Sequence, residues 1–225
     1  LRTFAETIGT NIEYFKQNAK HIDIYYCFID FVGYTDNLND FRHVMGNRTH
    51  NDCKLVTPAV VNKILAEHCT YNVHFKRGTI KTIPFNMPIT DVVKDFFAFN
   101  LVRQYYLMQE SLDIMGNVIL DSYDMVVRLR TDVVLQNPIP KTFIRDCLAG
   151  DNLIINKYIW ENHESIAATN EMFFMGNPFV VKRAMRVFDN LDHIKKLIEN
   201  QQAEPYGESI FNANLVIQNL KSNLF

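Results

Sequence analysis

Apolar residues recur every three to four positions near the start of the chain. Ile8, Ile12, Phe15 and Ala19 predict an amphipathic surface helix over 4–19. The pattern then changes to a nearly continuous apolar and aromatic run, Ile22, Ile24, Tyr25, Tyr26, Cys27, Phe28 and Ile29, closed by Asp30. This predicts a buried strand over 21–30. A polar stretch covers 33–52. Beyond it the pattern predicts a short strand at 54–56, a helix at 58–68 with Pro58 in its first turn, and a strand at 71–75. Residues 91–115 contain neither Pro nor Gly and repeat Phe97, Leu101, Tyr105, Met108, Leu112 and Met115, which predicts a long helix packed across a sheet. Further strands are expected at 122–135, 152–155 and 170–175. The first of these is stopped by Asn137-Pro138-Ile139-Pro140 and the last by Gly176-Asn177-Pro178. Helices are expected over 179–200 and 206–219. Strands alternating with helices predict an α/β domain with a mostly parallel central sheet and helices on both faces.

Composition narrows this picture without changing it. The 225 residues are 48% hydrophobic and 21% charged, as in a folded globular chain with a sizeable core. No repeat, low-complexity tract or linker divides them, so one domain over 1–225 is expected. With 23 Lys and Arg against 25 Asp and Glu and no basic run, a nucleic-acid surface is not expected. Cys27, Cys53, Cys69 and Cys147 form no Cys-x-x-Cys pair, which points to reduced thiols and a cytoplasmic setting rather than to a zinc site or a disulfide framework. No apolar stretch is long enough to span a bilayer and no signal peptide is read. The chain opens at Leu1, so an anchor ahead of it stays an open alternative. The sequon Asn47-Arg48-Thr49 would matter only in a secretory compartment.

Chemistry enters at Tyr123-Asp124-Met125-Val126-Val127-Arg128-Leu129-Arg130-Thr131-Asp132, where an apolar strand turns charged near its end. Side chains alternate faces along a strand, so Arg128, Arg130 and Asp132 share one face and Val127 and Leu129 the other. Buried unpaired charge is costly. Two alternatives follow: the arginines pair with Asp124, Asp132 or another carboxylate, or the row faces a polar cleft at the carboxyl end of the strand. In open α/β sheets that end is where ligands bind. In the second case Asp132 is suited to a divalent cation and the guanidiniums to phosphate oxygens.

The Tyr-Asp-x-Val-x-Arg-x-Arg-x-Asp pattern resembles a group of bacterial and viral glycosyltransferase-like proteins with the Rossmann-like, nucleotide-sugar-binding fold called GT-A. Three other segments resemble the same group in the same order. Leu1-Arg2-Thr3-Phe4 resembles the end of a Gly-x-Leu-Arg-Thr-Phe motif. Asn170-Glu171-Met172-Phe173-Phe174-Met175-Gly176 resembles an Asn-Asp-Gln-Phe-x-x-Gly segment, and Tyr206-Gly207-Glu208-Ser209-Ile210-Phe211 a Pro-Glu-x-x-Leu segment. The resemblance implies a transferase that moves a sugar from a nucleotide-sugar donor to a glycan or other hydroxyl acceptor. Its nucleotide half would cover about 1–136 and its acceptor half about 137–225. It also implies that Asp132 stands where the last acid of an Asp-x-Asp motif holds manganese or magnesium on the donor diphosphate. Arg130 occupies the first acidic position, so either Asp132 holds the metal with phosphates and water, or Arg130 partly replaces the cation.

On this reading Arg128, Arg130 and Asp132 stabilise the leaving diphosphate, and Arg2 and Thr3 approach the nucleotide. Arg2 as a solvated terminal residue is the competing alternative. Glu171 and Glu208 are the candidate bases if the anomeric configuration inverts, and no base is required in that place if it is retained. Trp160 and His163, in the polar segment 158–165, are acceptor-site candidates: Trp160 by stacking on a sugar or as a packing anchor, His163 as a ligand or a solvated loop residue. The aromatic residues of the 91–115 helix read as core, and Lys182, Arg183, Arg186, Lys195 and Lys196 as the wet face of a later helix. Arg130 in an acidic position also suits a non-catalytic, glycan-binding or assembly module of the same fold.

Overall fold

In the computed structural model, residues 2–29, 31–32, 54–55, 57–81, 96–116, 121–131, 133–135, 137–150, 152–158, 168–203 and 207–224 are described. Helix α1 (Arg2–Lys16) leads into strand β1 (Ile22–Ile29), followed by the short pair β2 (Phe31–Val32) and β3 (Lys54–Leu55). Helix α2 (Pro58–Ala66) starts where the Thr57 hydroxyl accepts from the Val60 amide, with Pro58 at a position that needs no N–H. It returns the chain to β4 (Val73–Lys81), which pairs in parallel with β1 from Ile22↔Val73 to Ile29↔Lys81, with a register shift after Ile24. One face of this pair is apolar. Tyr26 stacks on Phe75, and with Phe4 of α1 and Val61 and Leu65 of α2 it forms a small core. Gly78 is required there, because a Cβ at this position would lie 2.2 Å from the Tyr26 ring.

The larger sheet contains β5 (Val126–Leu129), β6 (Asn152–Tyr158), β7 (Ala168–Gly176) and β8 (Lys221–Leu224), in the order β5-β7-β6-β8. Alternation sends Leu153, Ile155 and Phe174 to one face and Ile154, Phe173 and Met175 to the other. The first face is covered by α3 (Phe96–Met115), α5 (Pro178–Ala184), α6 (Leu191–Glu199) and α7 (Gly207–Ile217) through Tyr105, Met108, Val180, Val181, Ile194 and Phe211. The second is covered by Tyr14 and Phe15 of α1 and by Phe143, Ile144 and Cys147 of α4 (Lys141–Ala149). Each fully buried Phe, Ile or Leu contributes about 1.5–3 kcal/mol relative to exposure, which is why this sheet, buried on both faces, holds the main core.

An α/β chain with helices on both faces of its larger sheet is what the pattern predicts, but the sheet is not mostly parallel. Strand β7 lies between β5 and β6 and runs against both, so β5/β7 and β6/β7 are antiparallel and only β6/β8 is parallel. Alternating periods identify strands but not their lateral order, and the insertion of β7 sets the orientation. The strand expected over 122–135 is regular only over Val126–Leu129. The helix expected over 179–200 is broken between α5 and α6, although its apolar period continues. Buried Asn214 of α7 donates to the Ala184 carbonyl at 3.0 Å, taking the acceptor that the next helical turn would use, and accepts from Asn190 at 2.7 Å. Helix α4 and strand β8 were not foreseen.

Candidate functional site

The end of β5 is positioned by backbone bonds and by α1. The Arg130 N–H donates to Met172 of β7 at 2.8 Å, continuing the β5/β7 ladder, and Val133 N–H turns back to the Arg130 carbonyl at 3.1 Å. Beyond this turn the chain leaves the sheet, and its polar backbone would lack partners. Thr7, Asn11 and Tyr14, four and three residues apart on one face of α1, supply them. The Thr7 hydroxyl donates to Thr131 O at 2.7 Å. The Asn11 amide donates to Val133 O at 2.7 Å and accepts from Leu135 N at 3.0 Å. The Tyr14 hydroxyl donates to Asn137 O at 2.7 Å and accepts from Ile139 N at 2.9 Å. Helix α1 therefore does more than the surface helix its apolar residues suggest: Thr7 and Asn11 are among its most buried side chains.

Met125, Val127, Leu129 and Val133 pack toward the second face of the sheet and Val126 toward the first. By alternation Arg128 and Arg130 share the side of Val126, and both are partly buried. Asp132 lies outside the described residues. Glu171 is in β7, next to the Met172 carbonyl that Arg130 engages, and Glu208 is the second residue of α7, which packs on β7 through Phe211 stacked on Phe174 at 5.3 Å. Arg2 and Thr3 open α1, one turn before Thr7. Helix α1, which opens with Arg2, and strand β7 at Glu171-Met172 thus meet the end of β5, while α7, which opens with Gly207-Glu208, packs on the first face of the sheet at Phe174, the partner of Arg128 in register. Trp160, His163, the sequon and Cys53 lie outside the described residues. Cys27, Cys69 and Cys147 are unpaired thiols; burial pushes Cys27 up to about 12 and Cys147 up to about 11, so neither is a thiolate at neutral pH. No helix among the described residues is long and apolar enough to cross a membrane.

Two polar groups were missed from the sequence. At the start of β1 and β4, Asp23 faces its parallel neighbour His74, with His21, Tyr25 and Lys76 on the same side. The Asp23 carboxylate is only 7% exposed. Its Oδ1 lies 2.8 Å from His21 Nε2, 3.9 Å from His74 Nδ1 and 3.6 Å from Lys76 Nζ, and its Oδ2 accepts from the Tyr123 hydroxyl at 2.6 Å. Burial works to raise the Asp23 carboxyl, but these partners hold it below its ordinary range, and burial with the Asp23 contact raises Tyr123. At the other end of the same strands Lys81 Nζ meets Glu110 of α3 at 2.6 Å, beside Tyr106. The available signal was the alternation His21-x-Asp23-x-Tyr25 against His74-x-Lys76, hidden because the run reads as continuously apolar.

No family model matches the chain, and no curated protein matches its sequence.

Proposed function

We propose that the chain is a nucleotide-sugar-dependent glycosyltransferase of GT-A type whose donor site lies at the carboxyl end of β5. The observation that carries the reading is that α1 and β7, which contain two of the other segments on which the resemblance rests, bond to the end of β5, and that the helix containing the last segment packs on the same strand β7. Thr7, one turn after Arg2 and Thr3, bonds to Thr131; Arg130 bonds to Met172 beside Glu171; and α7, which begins at Gly207-Glu208, packs on β7. On this reading Arg128 and Arg130 bind the diphosphate and stabilise the charge that builds on it as the glycosidic bond breaks. Their backbone, fixed by β7 and α1, limits the reorganisation needed at that moment. Glu171 takes the acceptor proton if the configuration inverts, with Glu208 as the second candidate.

A hard cation fits only in part. Asp132 is the single carboxylate between Arg128 and Asp132, so manganese or magnesium there would take most of its shell from donor phosphates and water, and would supply Lewis-acid stabilisation to the leaving group. The two guanidiniums stabilise the same charge, which makes weak metal dependence the expected behaviour. Trp160 and His163 remain the acceptor-side candidates, the acceptor being a glycan or other hydroxyl compound. Nucleotide-sugar donors and unpaired thiols suit a reducing, cytoplasmic setting.

The test is isothermal titration of nucleoside diphosphates and nucleotide sugars, with and without manganese, against wild type, Arg128→Ala, Arg130→Ala and Asp132→Ala. One donor should bind wild type and weaken about tenfold or more in each arginine variant, a charge-assisted bond being worth about 1.5–3 kcal/mol. Failure of every donor to bind overturns the transferase reading and favours the non-catalytic module.

A further inference from the structure

The group around Asp23 has the donor set and supporting bonds of a metal centre. His21, Asp23 and His74 each present a ligand atom, and these atoms lie within 4.8 Å of one another. Ligands bonded at about 2.0–2.2 Å to a tetrahedral ion stand roughly 3.3–3.5 Å apart. The observed 2.8 Å from His21 Nε2 to Asp23 Oδ1 and 3.9 Å from His74 Nδ1 to the same oxygen bracket that spacing, so small side-chain rotations close the site.

One bond fixes the protonation that ligation by His74 needs, while His21 Nε2, which donates to Asp23 Oδ1 at 2.8 Å, gives up that proton when it binds an ion. His74 Nε2 lies 2.9 Å from the Tyr71 carbonyl, which can only accept, so Nε2 carries the proton. In the neutral ring Nδ1 is then a bare lone pair turned toward a carboxylate oxygen too distant for a hydrogen bond, an arrangement that a cation between them satisfies. This is the usual support of a metal-binding imidazole, with its other nitrogen donating to a backbone carbonyl. Tyr123 gives its proton to Asp23 Oδ2, and Tyr25 then donates to Tyr123 at 2.9 Å. That chain orients the carboxylate so that Oδ1 faces both imidazoles. His21 and His74 are 48% and 41% exposed, so an ion can reach them from solvent.

We propose that His21, Asp23 and His74 bind a divalent cation of the zinc class, joining the starts of β1 and β4 and, through Tyr123, the approach to β5. Two imidazoles and one carboxylate favour zinc, cobalt, nickel or copper over magnesium or manganese. The fourth coordination position is left to water. This centre is separate from the proposed donor site: Tyr123 precedes β5 and Arg130 follows it, and the extended residues between them span roughly 13 Å at about 3.3 Å per residue. Lys76, with Nζ 3.6 Å from Asp23 Oδ1, is the built-in competitor that neutralises the carboxylate in the ion's absence.

The experiment is titration of chelator-treated protein with zinc chloride by calorimetry, and with cobalt chloride followed by visible absorption. Wild type, His21→Ala, His74→Ala and Lys76→Ala are compared, with circular dichroism to confirm folding. All three altered side chains are substantially exposed, so the variants are expected to fold. One zinc per chain should bind wild type, weaken at least about tenfold in each histidine variant, and tighten in Lys76→Ala, a gain that a purely structural ion pair would not produce. Zinc should raise the thermal midpoint of wild type but not of His74→Ala. Absence of stoichiometric binding by wild type, or affinity unchanged in both histidine variants, overturns the proposal. Neither outcome bears on donor binding, which is read with Asp132→Ala.

Discussion

The two ends of β5 solve the same problem in different ways. Both must hold polar groups against a sheet edge. At the carboxyl end, Thr7, Asn11 and Tyr14 direct their side-chain bonds to the backbone of 131–139. At the start, Tyr123 and His21 direct theirs to one side chain, the Asp23 carboxylate, with Lys76 and His74 beside it and Tyr25 bonded to Tyr123. The first arrangement fixes where the main chain runs, and with it the backbone positions of Arg128 and Arg130. The second spends its charged and aromatic hydroxyl groups on one another and fixes the rotamers of a few side chains. A scaffold that positions ligand-binding residues is therefore expected at one end, and a compact side-chain cluster suited to a small ion at the other.

The sharpest way to break this contrast is to remove Asn11. Its side chain is 3% exposed and serves both Val133 O and Leu135 N, so Asn11→Ala leaves two backbone groups without partners at about 1–3 kcal/mol each. Chemical denaturation should show a loss of about 2–6 kcal/mol, and donor affinity should fall with it while zinc affinity is unchanged. Tyr123→Phe should behave in reverse. Loss of its bond to Asp23 costs about 1.5–3 kcal/mol of stability, and zinc binding should weaken about 10–100-fold, as for other residues that orient a metal ligand, with no effect on donor titrations. If both variants reduce both affinities equally, the two ends are one coupled unit and the comparison fails. Tyr14→Phe removes two clamp bonds at a more exposed site and should cost about 1 kcal/mol in the same denaturation experiment.

The smallest effect concerns pH. Burial tends to raise the Glu110 carboxyl, but bonds from Lys81 and Tyr106 bring it below its ordinary value of 4.5. A carboxyl depressed on folding contributes stability that is present above the unfolded value and lost as pH falls through the folded one. Wild type should therefore lose stability more steeply than Glu110→Gln on acidification below about 4.5. Thermal midpoints at several acidic pH values check this. Parallel curves for the two proteins would show that the Lys81–Glu110 pair contributes nothing measurable.

Much of the fold was legible because burial imposes periodicity. The Ile22–Ile29 strand, α2 with Pro58 in its first turn, and α3 followed from apolar spacing and the preference of Pro for helix starts. Helix α4 escaped because it begins after Pro140 without a side-chain cap and buries only Cys147 fully. Strand β8 is four residues long and takes its identity from pairing with β6, which no local pattern encodes. At the candidate donor site, the sequence showed a charged strand end and the resemblance named four segments. It gave no sign that Thr7, Asn11 and Tyr14, polar residues in what reads as the wet side of a surface helix, would become backbone partners.

The sequence by itself determined the strongly periodic elements, β1, α2 and α3 among them, and that Arg128 and Arg130 share a side, because side-chain period follows from local backbone geometry. Only the tertiary structure decided that β7 runs antiparallel between β5 and β6, that Asn214 breaks the helix after Ala184, and that Tyr123 reaches Asp23 a hundred residues away. Those outcomes depend on which buried polar groups find partners across the fold, and unsatisfied donors and acceptors carry a cost that no spacing along the chain records.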